Sequence, residues 1–185
     1  MTPVFALRLR FFCAVLVLCA LLAGRTSQAH VSSDDMPDSV AEVEYSIYLE
    51  FKPADIPVRN KLGMVFYRLD KLQEAAREFA RVLKADPNNY DALDGMGLVR
   101  AAQQDFAAAI TYHRQAIATD ADDMMGYFHL GSALEKNGLL REAMEAYQAA
   151  QARFSKQYPQ GTENKQAAEF GQTLGAAIAN LETRL

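Results

Sequence analysis

Leu62-Gly63, Met96-Gly97 and Leu130-Gly131 stand 34 residues apart. Three more columns keep the same step: Ala75, Ala109 and Ala143; Phe79, His113 and Tyr147; Val82, Ala116 and Ala150. A fixed period of this size marks a stack of helix-turn-helix units, each unable to bury its apolar face alone. The chain must therefore fold as an array in which neighbours cover one another.

One unit shows why the columns recur. Residues 56–69 carry Leu62, Val65, Phe66 and Leu69 at helical spacing, and residues 72–85 do the same with Leu72, Ala75, Ala76, Phe79, Val82 and Leu83. Gly63 and Ala75 are small where two helices would cross. A glycine inside a helix is about 1 kcal/mol worse than alanine. Its threefold return points to close packing that offsets this loss. Pro87, with Asn88 and Asn89 after it, ends the second helix.

These residues resemble the tetratricopeptide repeat (TPR) pattern. Residues 56–89 carry it best, with Leu62, Gly63, Phe66, Ala75, Phe79 and Pro87. Residues 90–123 keep Gly97, Ala109 and Ala116 but depart at Arg100, His113 and Ala121. Residues 124–157 keep Tyr127, Leu130, Gly131, Leu134, Ala143 and Tyr147 and have Ser155 in place of the late proline. The resemblance covers 102 residues. It implies an all-α superhelix of antiparallel helix pairs with a concave face that binds a partner, and it does not imply any reaction.

The flanks are read by the same rules. Residues 1–29 hold Arg8 and Arg10, an apolar run of 13 residues from Phe11 to Ala23, and then Ser27-Gln28-Ala29. The run is short for a helix crossing about 30 Å of hydrocarbon. A signal peptide cleaved after Ala29 is expected, which would make the protein periplasmic or secreted. Membrane association is expected only if the leader stays uncleaved. Both cysteines, Cys13 and Cys19, lie in the leader, so a mature chain has no disulfide. Cleavage also removes three arginines and no acids, taking the net charge from −4 to −7. Such a balance disfavours nucleic acid and anionic membrane as partners.

Residues 30–37 read as a flexible tail. Residues 38–55 read as a half repeat, because Ala41, Tyr45, Tyr48 and Pro53 fall into the register of Ala75, Phe79, Val82 and Pro87. In the same stretch Val40, Val43, Ile47 and Phe51 also step by three and four. Full repeats are expected at 56–89, 90–123 and 124–157, and a C-terminal capping helix at 162–185, opened by Thr162. Its Leu174-Gly175 repeats the Leu-Gly pair out of register.

No catalytic constellation is visible. His113 sits in a column of aromatic rings, and neither a carboxylate nor a second ligand stands at a useful linear spacing from it. No metal, cofactor or enzymatic activity is expected. Carrying the TPR groove onto this chain gives Asn60, Met64, Tyr67, Arg68, Asp94, Leu98, Met125, Phe128, Ser132 and Glu135 as candidate partner-binding residues. The basic clamp that some TPR domains close on a chaperone's carboxylate is not matched, since those places hold Asn60, Met64, Gly95, Met125 and His129. The expected groove is apolar with acidic edges, suited to an extended peptide or an amphipathic helix. Phe128 is expected to project into it, and Ala101 and Ala102 to leave room there. The expected function is a non-enzymatic exported adaptor that supports an envelope complex. The alternatives are a self-assembling scaffold or an accessory subunit of a cytochrome-maturation, secretion or pilus system.

Overall fold

The computed structural model describes residues 36–159 and 162–185. The leader and most of the tail expected at 30–37 lie outside the described residues. Eight helices follow one another among the described residues: α1 (Asp38–Phe51), α2 (Ile56–Arg68), α3 (Leu72–Ala85), α4 (Tyr90–Ala102), α5 (Phe106–Thr119), α6 (Met124–Lys136), α7 (Leu140–Gln157) and α8 (Lys165–Glu182). Each helix packs on the next in sequence, and the all-α superhelix is borne out. In addition α2 touches α4 and α4 touches α6, whereas successive second helices scarcely meet. The first helix of each pair therefore lines the inner side of the curve.

Local chemistry repeats with the period. Asp55, Asn89 and Asp123 each accept a hydrogen bond from a first-turn backbone N–H, of Val58, Ala92 and Gly126 respectively. These caps satisfy donors that a helix start leaves open. The inner turns also share one geometry. Asp70, Gln104 and Gly138 all adopt positive φ, at 58°, 64° and 81°. Each closes a Schellman turn, for example with Asp105 N–H on Arg100 O at 2.9 Å and Gln104 N–H on Ala101 O at 3.0 Å. Gln104 thus holds a left-handed conformation that glycine adopts without strain. Gln104→Gly is expected to raise stability by about 1 kcal/mol, read as a higher urea midpoint at unchanged slope. A lowered midpoint would mean that the glutamine side chain contributes more than the strain removes.

The columns are ring-on-glycine contacts. A methyl group added at Gly63 would stand 2.6 Å from the Phe79 ring, one at Gly131 2.6 Å from Tyr147, and one at Gly97 2.6 Å from His113 Nδ1. Phe79, His113 and Tyr147 are buried, as are Ala75, Ala109 and Ala143 beneath them. Gly175 differs, because a methyl group there would meet nothing within 4 Å. The late Leu-Gly pair is therefore no helix crossing, although Leu174 itself is buried. The N-cap of α8 is Asn164, whose Oδ1 accepts from Ala167 N–H, and not Thr162, which accepts from Asn164 N–H instead.

Helix α1 carries two apolar stripes. Ala41, Tyr45 and Leu49 pack against Leu62 and Val65. The other stripe, Val40, Val43, Ile47 and Phe51, is 50–79% exposed. Periodicity marks both stripes equally, and the half-repeat register picks out the buried one.

Candidate functional site

A cavity of about 250 Å³ opens on the inner side of α2, α4 and α6. Tyr67 walls one end, Leu98, Ala101 and Ala102 form the middle, and Phe128, Ser132 and Ala133 wall the other. His113 and His129 border it on the polar side, and Lys136 stands at the rim. The cavity exists because Ala101 and Ala102 are small where α4 passes between two aromatic side chains.

The ten sequence-derived groove residues do not share one environment. Tyr67, Leu98, Phe128 and Ser132 line the cavity. Met64 is half-buried against the cluster around Phe79, and Met125 is half-buried outside the cavity lining. Asn60 is buried, and its amide donates to Asn89 Oδ1 at 2.8 Å. Arg68 is occupied by a forked pair with Asp38 at the start of α1. Glu135 accepts from the Tyr147 hydroxyl at 3.1 Å and pairs with Arg184 beyond α8. Asp94 is buried. The acidic edges expected of the groove are thus absent at the cavity, because the two carboxylates meant to supply them are turned to partners inside the protein.

Phe128 serves two places at once. It borders the cavity, but its ring lies 5.7 Å from Tyr147 and 5.3 Å from Phe170 of α8. A charge at Phe128 would therefore disturb the seat of α8 as well as the groove. Tyr127, beside it, is covered by the Arg153 guanidinium 3.7 Å above its ring.

Asp94 brings together the residues that linear spacing kept apart. His113 Nδ1–H donates to Asp94 Oδ1 at 2.7 Å, and His129 Nδ1 lies 2.9 Å from Asp94 Oδ2. The carboxylate can only accept, which places the proton on each Nδ1. Burial alone would push the Asp94 carboxyl up, but the hydrogen bonds and charge of the two histidines outweigh it. They hold the group well below the usual carboxylate range. The expectation that His113 has no carboxylate or second ligand nearby is therefore overturned. The two histidines stand 19 and 35 positions from Asp94, separations that become contacts only when α4, α5 and α6 stack. The available signal was a histidine in an aromatic column with an aspartate one helical turn before the glycine it covers.

The tetratricopeptide repeat family matches residues 60–116 and 95–161, more than half of the chain. The chain belongs to this family. It is 30% identical over 104 residues to mouse aspartyl/asparaginyl beta-hydroxylase, a match covering 55% of this chain and 14% of that protein. The chain thus spans a small part of the curated relatives it matches. Its fold is similar to that of the Yersinia enterocolitica type III secretion chaperone SycD, seen with a peptide of the translocator YopD. The TM-score is 0.60 at 18% identity, over 68% of this chain and 91% of that one. It is also similar to the TPR2B domain of yeast Sti1 in complex with pHsp70. There the TM-score is 0.61 at 13% identity, over 70% of this chain and 98% of that one.

Proposed function

We propose that this protein is a non-catalytic adaptor that takes an extended peptide segment of a protein partner along its inner face, with one apolar side chain of that segment seated in the cavity over Ala101 and Ala102. The observation that carries this reading is the cavity itself, whose lining is mainly apolar with a few polar side chains, His113, His129, Ser132 and Lys136, among it. Pockets that fix a partner combine such walls with a few polar groups. That SycD is seen with a peptide and the Sti1 domain with pHsp70 supports the same use of the fold. Export by the leader belongs to this proposal and rests on the sequence of residues 1–29, and service to an envelope complex rests on analogy with the fold.

Ala102 is exposed at the cavity mouth. Ala102→Trp should fill the cavity and abolish partner capture while leaving helicity and melting temperature unchanged. Capture at wild-type level by the folded variant would place binding on another face. Intact mass of the protein from its host tests export separately, and loss of residues 1–29 is the expected result.

A second reading, self-assembly, is favoured by the exposed stripe of α1. Apolar surface of this kind is commonly covered by a partner. Val43→Glu together with Ile47→Glu should shift any concentration-dependent oligomer to monomer in a sizing series. A wild type that stays monomeric throughout removes this reading.

A further inference from the structure

We propose that Asp94, His113 and His129 form a binding site for one divalent transition-metal ion of the zinc class, at the polar side of the groove cavity. The site stands independently of the peptide-binding reading.

One donor atom from each residue lies within 4.8 Å of the other two. The donors come from three successive helices, α4, α5 and α6, so the stacking of two units builds the site. Around a zinc-class ion at about 2.0–2.2 Å, tetrahedral donors stand roughly 3.3–3.6 Å apart. The observed separations of 2.7 Å and 2.9 Å need to open by roughly half an ångström to reach that range. His113 is fixed flat on Gly97 and fully buried. His129 can supply the movement, because its side chain is 18% exposed and borders the cavity. Each Nδ1 must give up its proton, to Nε2 or to solvent, before its lone pair can take the ion.

Two imidazoles and one carboxylate suit zinc, cobalt and nickel rather than magnesium or calcium, which prefer oxygen ligands. Three protein ligands leave one position open, for water or for a side chain of whatever occupies the cavity. Packing alone does not call for this trio. The column of His113 is filled by Phe79 and Tyr147 in the flanking units, and the register of Asp94 holds Asn60 and Phe128. A buried carboxylate is expensive to keep where neutral or apolar residues serve.

The test uses the full chain, stripped of metal, titrated with Zn²⁺ alone by calorimetry and with Co²⁺ alone by visible absorption. Saturable one-to-one binding, tetrahedral cobalt bands and a melting temperature that rises with Zn²⁺ concentration are expected. His113→Phe restores the ring used in the first unit. It should keep helicity while weakening Zn²⁺ binding by about 100-fold or more, beyond the loss seen on removing an outer-shell partner. Asp94→Asn gives the same reading without a change of shape, should the first variant fail to fold. Absence of saturable binding to the wild type would overturn the proposal and leave a hydrogen-bonded trio only. Undiminished affinity in the folded variants would overturn it too, placing the ion elsewhere.

Discussion

Phe79→Ala is expected to destabilise the protein by about 3–5 kcal/mol, the loss typical of a large ring removed from a closed core. Phe79 has no exposed surface. Its ring faces Gly63 of its own unit and Gly95 of the next, where added methyl groups would each stand 2.6 Å from Cε1. One side chain therefore closes the crossing within the first unit and the joint to the second. Each unit of a stack is held mainly by its neighbours, so the damage should spread beyond its own helix pair. Urea unfolding should remain one transition with a markedly lower midpoint. A change below about 0.5 kcal/mol, the size of a surface substitution, would show that the ring is not the joint described.

Gly97→Leu is expected to lose about 3 kcal/mol, the upper end of ordinary overpacking. The His113 ring stands where the first added carbon must go, and Ala109 and Ala116 beside it are buried with no space to yield. Gly175→Ala is the matched control. It lies inside α8, meets nothing, and should gain about 0.5–1 kcal/mol because alanine loses less conformational freedom than glycine. Equal effects at the two glycines would contradict the difference in packing drawn between them.

These two glycines also show how far the sequence could be read. Gly97 was legible because its column returns at 34 residues with small and ring partners in step. Gly175 carries the same dipeptide without the partners, and a dipeptide alone does not make a crossing. Helix α1 shows a second limit. Val40, Val43, Ile47 and Phe51 have the spacing of a buried face, yet they are exposed and Ala41, Tyr45 and Leu49 are buried. Spacing identifies a stripe, and only a neighbouring helix decides which stripe is covered. The trio around Asp94 lay furthest from view. Nothing in the chain places residues 94, 113 and 129 together until three helices are stacked, and contacts with other helices and turns likewise engage Glu135 and Asn60. The second contact of Phe128 was hidden for a related reason, because its neighbour Phe170 arrives from α8, a helix outside the repeat period.

A photo-crosslinking amino acid placed at position 102, with a control at position 118 on the exposed outer side of α5, tests the groove assignment most directly. The two proteins would be irradiated in the native host and the adducts mapped by mass spectrometry. Position 102 is expected to capture one short segment of a single partner, with position 118 capturing none of it. Capture of that partner from position 118 alone would contradict a binding site on the inner face.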